Sequence, residues 1–333
     1  MNMGAHVSTI RAAYAAATDA QQPLSALTVG TIEEPERPGD DWVRVEVRAS
    51  ALNHHDLWSL RGVGLSESQL PMVLGCDAAG IGPDGAEVIV SAVIGDPSGG
   101  DETLDPNRTL LSELHPGTFA DVVWVPARNL VPKPESMTFV EAACLPTAWL
   151  TAYKMLVRKG QVQAGDAVLV QGAGGGVATA AVVLAQALGA RVYATSRSAA
   201  KREQIAALGA TATEPGARLP ERVNVVIETV GTPTIDHSLK STVPGGRIVV
   251  CGSTGGHLAE IDLRRVFFLQ LELLGATMGT RDELAELAAL MAARGIAPVI
   301  DSVYPFEEAA AAFARLESGD AFGKVVLDHG ATS

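Results

Sequence analysis

The stretch from Ala167 to Gly189 sets the tightest limit on what this chain can fold into. Ala167-Val168-Leu169-Val170 is a short, unbroken apolar run, the pattern of a strand buried on both faces. A turn of small residues follows, Gly172-Ala173-Gly174-Gly175-Gly176-Val177-Ala178. The alanine-rich run to Leu188 has helical length and stops at Gly189, where a helix C-terminus favours glycine. Strand, glycine turn and helix in that order form the first half of a parallel crossover unit. The second strand follows at once as Arg191-Val192-Tyr193-Ala194-Thr195. A helix over Ala199–Leu208, stopped by Gly209, and strands over 223–227, 247–251 and 271–276 continue the alternation, which predicts a doubly wound parallel sheet.

Glycines at such a turn let the chain reverse tightly. They also let backbone N–H groups approach a pyrophosphate at the positive end of a helix. Gly172, Ala173, Gly174, Gly175, Gly176 and Val177 are therefore the expected contacts of a dinucleotide. The plainer alternative is a turn that only permits close helix–strand packing. Ala178 stands where the dinucleotide fingerprint usually ends in glycine, a change the fingerprint tolerates. The end of the second strand carries the cofactor preference. NAD-binding folds usually place a carboxylate there for the ribose 2′-hydroxyl. This chain has Thr195-Ser196-Arg197-Ser198, with Lys201 close behind. A hydroxyl and a guanidinium suit a 2′-phosphate, so the expected cofactor is NADP(H). Val230, Gly252 and Ser253 follow the next two strands, where the dinucleotide crevice runs in this architecture.

The flanking sequence has a different texture. Trp42 to Arg48 alternates apolar and polar residues, and 86–90 and 121–125 are similar strand-like runs. A polar loop with Pro97, Gly99, Gly100 and Pro106 lies between the last two. Ala12–Ala17 is read as a first strand. Residues 142–156 are read as helical, interrupted or started by Pro146. Near the C-terminus, 282–294 and 306–316 read as helices and 323–327 as a closing strand. The 333 residues favour two domains. The net charge of −13 disfavours nucleic acid and anionic membrane surfaces. No apolar run reaches membrane-spanning length. Met1 to Thr9 lacks the basic segment and apolar core of a signal peptide and reads as a loose extension. Cys76, Cys144 and Cys251 are widely spaced with no C-x-x-C pair, which points to reduced thiols in a cytoplasmic protein.

Several segments together resemble the medium-chain dehydrogenase/reductase superfamily, in particular its quinone oxidoreductase-like and enoyl reductase-like branch. They are Asn53-His54-His55-Asp56 with Arg61-Gly62, Gly75-Cys76-Asp77-Ala78-Ala79-Gly80, Leu145-Pro146-Thr147-Ala148-Trp149-Leu150-Thr151-Ala152-Tyr153, the glycine turn, and Gly323-Lys324-Val325-Val326-Leu327. The resemblance implies an α/β protein in which a Rossmann doubly wound domain (136–296) is inserted into a GroES-like β-barrel domain (1–135 plus 297–333). It also implies an active site in the cleft and a homodimer. Zinc alcohol dehydrogenases of this superfamily hold a catalytic zinc with a Cys, a His and a second Cys. The positions matched here are Asn53, Cys76 and Cys144, with Asp77 in place of a neighbouring glutamate. An amide is a poor zinc ligand. Either Cys76, Cys144 and a carboxylate from Asp56 or Asp77 supply the three ligands, or, the preferred expectation, the two thiols are buried packing residues. The four-cysteine structural zinc lobe has no counterpart in 95–113.

Without a Lewis acid for an alkoxide, the resemblance implies hydride transfer from NADPH to a quinone or an α,β-unsaturated carbonyl, a small-molecule substrate. Asn53 is the expected hydrogen-bond donor to the developing oxyanion. His54, His55 and Thr147 are candidates for polarising substrate or passing a proton, with at most one histidine facing the site. Asp56 is expected either to take part in the chemistry or to hold its segment in place. Lys324 is expected to reach the cofactor, or else to be a surface lysine. Trp58, Trp149 and Phe267 could line a pocket, although aromatics at such spacing usually pack a core. Two alternatives stand beside the reductase: a zinc-dependent alcohol dehydrogenase with atypical ligands, and a non-catalytic NADP(H) sensor.

Overall fold

The structure is a computed structural model that describes residues 8–330, so most of the N-terminal extension lies outside the described residues. The chain divides into two compact units: residues 1–147 with 280–333, and residues 148–279. The second boundary lies N-terminal to the helix Arg281–Arg294, which belongs with the first unit. The reason is local. Arg281 N donates to Glu102 Oε1 at 2.7 Å and its Nη2 donates to Leu130 O at 3.1 Å.

The second unit is the doubly wound sheet expected from the alternation. Its six strands lie in the order 211–213, 191–195, 167–170, 223–228, 242–250, 272–275, and every pair is parallel. Chain order reverses beside the central strand Ala167–Val170, which is where this architecture binds its ligand. That strand is buried at all four positions. Leu169, Val226 and Ile248 pack with Ile235 and Leu239 of a covering helix to form one core. The helix Gly176–Ala187 opens directly from the glycine turn.

The first unit is β-rich. Thr9–Ala15 is the first strand, paired antiparallel with Leu27–Glu33. The strand thus occupies much of the segment read as 12–17 but begins earlier. A seven-stranded sheet centres on Trp42–Ala51, which pairs with Asp77–Ile81, Val122–Pro126 and Lys324–Asp328. Its last strand, Ile300–Pro305, runs parallel to Lys324–Asp328. The helical stretch read as 142–156 starts earlier, at Phe139, and consists of successive segments, two of them with a widened π turn (Leu145–Trp149 and Lys154–Lys159). Pro146, which has no N–H to donate, sits inside the first of these irregular turns. Trp149 is a fully buried core residue, whereas Trp58 and Phe267 are exposed.

Asp301 ties the closing strands of the first unit together. Its carboxylate accepts Arg315 Nε at 2.9 Å, Arg315 Nη2 at 2.7 Å, Phe322 N at 2.9 Å and Ser302 Oγ at 2.9 Å. The paired guanidinium, offset in part by burial, lowers its pKa from 3.8 to about 2. Because the folded pKa is depressed, this contribution to stability is present above the unfolded value and is lost as pH falls toward the folded one. Asp301→Asn is therefore expected to lower stability at neutral pH by about 1–2 kcal/mol. The gap to wild type should close between about pH 5 and pH 2 in denaturant titrations.

Candidate active site and dinucleotide turn

The polar centre of the first unit is built where three separate chain segments meet. The helix His54–Leu60 starts from Asn53, whose backbone is extended. Asp56 fixes that start, because its Oδ2 accepts the Asn53 N–H at 2.7 Å. Asp77 opens the neighbouring strand Asp77–Ile81 and is wholly buried. Lys324 opens the closing strand and is 2% exposed. Its Nζ donates to Leu52 O at 2.7 Å, Asn53 Oδ1 at 2.7 Å and Asp77 Oδ2 at 3.0 Å. An ammonium has three N–H donors, so all of them are engaged here. Asn53 Nδ2 donates to the same Asp77 oxygen at 2.9 Å. The ammonium thus faces into the first unit, and the carboxamide of Asn53 is held at both ends. Only a long 3.4 Å contact to Ala51 O occupies its other amide hydrogen.

Burial pushes the Asp77 carboxyl pKa up. The Lys324 cation opposes this most, and the Thr147 hydroxyl beside the carboxylate adds a smaller opposing effect. Neither Asp77 Oδ1 nor Thr147 Oγ1 completes a well-formed hydrogen bond, although both atoms are buried.

The adjacent histidines diverge. His54 is an exposed residue whose imidazole is nevertheless crowded by protein. That crowding, and secondarily the Lys324 cation, lowers its pKa below the ordinary imidazole value and favours the neutral form. His55 turns inward. Its Nδ1 lies 3.6 Å from Cys76 Sγ, and its Nε2 lies 3.2 Å from Glu113 Oε1. Interaction with Cys76, and to a smaller degree with Asp56 and Glu113, raises its pKa despite burial. Burial pushes the Cys76 thiol up as well, and that thiol donates to Leu111 O at 3.2 Å. No motif marked Glu113, whose partner is 58 residues distant in sequence.

The matched catalytic-zinc positions do not fit that metal. Asn53 Oδ1 is bonded to an ammonium, and the cation of Lys324 sits against the donor set. Cys144 Sγ donates to Val140 O at 3.3 Å, and burial pushes this thiol up to about 12. Among the described residues Cys144 joins no cluster of metal-ligating side chains.

The second unit carries the dinucleotide candidates. Gly172 has a φ of +69°, and a Cβ there would lie 2.3 Å from Val230 Cγ2. Glycine is required on both counts. Gly175 begins the helix Gly176–Ala187 with no side-chain cap and no acidic residue in the first turn. Its leading N–H groups are left for an anion. Thr195 Oγ1 accepts Gly172 N at 3.1 Å and donates to Gln171 Oε1 at 2.7 Å, which locks the turn to the second strand. Ser196 is buried and Arg197 exposed at the end of that strand. Lys201 packs its stem beside Gly174. Glu228 Oε1 accepts the N–H groups of Val230 and Gly231, so the next strand end is fixed as well. Gly252 lies against Thr229 O, and Ser253 is exposed beyond the strand Thr242–Val250. These positions follow four adjacent parallel strands, and the residues fit a dinucleotide.

Residues 39–135 match the alcohol dehydrogenase GroES-like domain family, and residues 203–327 match the zinc-binding dehydrogenase family. An acryloyl-coenzyme A reductase of Metallosphaera sedula is 30% identical over 90% of this chain and 95% of its own length. A zinc-type alcohol dehydrogenase-like protein of Schizosaccharomyces pombe is 31% identical over 89% of this chain and 93% of its own. A crystal structure of an NAD-dependent alcohol dehydrogenase is 34% identical, with a TM-score of 0.87 over 96% of this chain and all of that one. The chain belongs to the medium-chain dehydrogenase/reductase superfamily of nicotinamide-dependent oxidoreductases, with a GroES-like domain and a Rossmann parallel sheet.

The coupling of Lys324 to its surroundings can be measured directly. Lys324→Met should leave Asp77 as an uncompensated buried carboxylate and lower stability by about 3–5 kcal/mol. In the variant that still folds, the NMR titration midpoint of His54 should rise, because a nearby positive charge has been removed.

Proposed function

We propose that this protein is an NADPH-dependent reductase of α,β-unsaturated carbonyl compounds or quinones. The observation that carries the reading is the Lys324–Asp77–Asn53 network. It places a fixed ammonium and an oriented carboxamide at the matched metal positions. Such a centre supports hydrogen bonding to a developing oxyanion better than ionisation of an alcohol on a metal. The similarity to an acryloyl-coenzyme A reductase supports the same class of substrate.

When bound, the dinucleotide supplies the hydride. The chain's own residues bind, orient and handle protons. Gly172 to Val177 and the following helix N-terminus take the pyrophosphate. Ser196, Arg197 and Lys201 take the 2′-phosphate, and no carboxylate at that strand end competes. Val230, Gly252 and Ser253 line the remaining strand ends. Asn53, held in place by Lys324 and Asp77, offers its second amide hydrogen to the enolate oxygen. Thr147, whose hydroxyl lies beside Asp77, offers it to the substrate carbonyl. His54, neutral and open to solvent, passes the proton that completes reduction. Asp56 holds the start of the helix. Lys324 acts through Asn53 in this reading, as a positioning residue.

We also infer a homodimer in the cytoplasm. Leu258, Leu263, Phe267 and Phe268 are exposed, each by more than half, and they precede the strand Glu272–Gly275 at the edge of the sheet. An exposed apolar group beside an open strand edge is an interface pattern. Among the described residues no helix is long and apolar enough to cross a membrane. Phe267→Glu with Phe268→Glu should convert the dimer to a monomer in sedimentation velocity.

The functional test is a panel of enones, enoyl thioesters, quinones and simple aldehydes run with NADPH and NADH side by side. Turnover with NADPH on the conjugated substrates or quinones is expected. Arg197→Ala should raise the KM for NADPH by about 10–100-fold, the loss of a charge-assisted hydrogen bond, and should barely change that for NADH. Preferential oxidation of simple alcohols would replace the reading with a dehydrogenase. Dinucleotide binding without turnover on any substrate would replace it with a sensor.

A further inference from the structure

His55 Nδ1, Asp56 Oδ1 and Cys76 Sγ converge within 4.8 Å of one another in the first unit. The individual edges are short. His55 Nδ1 is 3.6 Å from Cys76 Sγ and 3.9 Å from Asp56 Oδ1. Tetrahedral zinc with ordinary bond lengths needs ligand–ligand edges of about 3.3–3.6 Å, so the two edges at His55 are close to those of a ligand set. The Cys76–Asp56 edge, which lies within 4.8 Å, is the one that would have to close furthest. A proton can bridge only the His55–Cys76 edge of this cluster. The 3.9 Å edge is too long for a hydrogen bond, and Asp56 Oδ1 is wholly buried with no hydrogen-bond partner. Its twin oxygen is already used by Asn53 N, so the carboxylate is fixed with Oδ1 3.9 Å from His55 Nδ1.

The remaining imidazole nitrogen completes the pattern. His55 Nε2 faces Glu113 Oε1 at 3.2 Å. Metal-bound histidines characteristically donate their second N–H to a carboxylate, which fixes the tautomer that leaves the other nitrogen free to ligate. Glu113 is itself anchored, accepting Leu110 N at 3.1 Å and Thr109 Oγ1 at 3.4 Å. Binding would release the Cys76 thiol proton, now donated to Leu111 O, and the proton favoured on His55. The resulting thiolate, carboxylate and neutral imidazole would balance the charge of a divalent ion.

We propose that His55, Asp56 and Cys76 bind a divalent metal of the zinc class, with Glu113 orienting His55. The site keeps one of the three matched catalytic-zinc positions, Cys76, and takes its other two ligands from His55 and Asp56. Asn53 and Cys144 take no part, and two of its three ligands come from the first turn of the helix His54–Leu60. Its role is to fasten that turn to Cys76 and, through Glu113, to the segment Thr109–Glu113. The inference does not rest on the reductase reading, and its readout is the bound metal rather than turnover.

The test uses the full chain, purified without chelator, stripped with dipicolinate and titrated with cobalt(II). Stoichiometric binding is expected, with the visible absorption of a low-coordinate cobalt ion and a near-ultraviolet thiolate-to-cobalt band. Cys76→Ser should abolish that band, and His55→Ala should reduce the stoichiometry. Should these buried changes unfold the protein, Glu113→Gln leaves every ligand in place and should weaken cobalt binding by about 10–100-fold. Absence of stoichiometric binding would overturn the proposal. So would a thiolate band that survives in Cys76→Ser, or a Glu113→Gln protein that binds cobalt as tightly as wild type.

Discussion

The buried ion pair of Lys324 with Asp77 is the interaction on which the first unit's polar centre depends. Removing two charges from water is costly, and their attraction repays it only when the geometry is good and the remaining donors are satisfied. Here Leu52 O and Asn53 Oδ1 satisfy them. The pair therefore joins three elements at one point: the closing strand, the strand that Asp77 opens and the residue that starts the helix His54–Leu60. Loss of either partner leaves a charge with no water and no counter-ion. That makes the arrangement a strict specification of register as well as a source of electric field around Asn53 and His54.

The second unit solves a different problem, the rigid placement of backbone N–H groups. Its devices are neutral hydroxyls and amides around Gln171 and one carboxylate, Glu228. Gln171 Nε2 donates to Ser238 Oγ at 3.0 Å, and Ser238 Oγ donates to Glu228 Oε2 at 2.6 Å. Thr195 joins the same chain from the second strand. Turns after three adjacent strands are thus cross-braced beneath the surface that faces a dinucleotide. Such a network is worth more when every member is satisfied than its separate bonds suggest.

The second unit was largely legible in the sequence, because its signals are local. A glycine turn, the apolar strand before it and the helix after it lie within about twenty residues, and each obeys its own periodicity. The first unit was less so. The resemblance marked Asn53 and Lys324 as functional, and burial of Lys324 rules out the alternative of a surface lysine. That resemblance could not include the Lys324–Asp77 contact, which joins residues 247 apart through strand pairing. The same holds for Glu113, an ordinary acidic residue until a loop brings it to His55. Helix limits shifted where backbone geometry overrode pattern, as at the widened turn that contains Pro146.

The second unit is one continuous segment, while the first is interrupted by it. During synthesis the residues of the parallel sheet are all present before Lys324 has been made. The barrel-like unit must wait, with Asp77 buried or unburied but unpaired, until Ile300–Asp328 emerges. Contiguous domains fold as units when their sequence is complete. The dinucleotide-binding unit can therefore form while its host is still incomplete. The cation that closes the host's polar centre is thus among the last parts of the chain to be made, and the buried carboxylate of Asp77 has no counter-ion until it arrives.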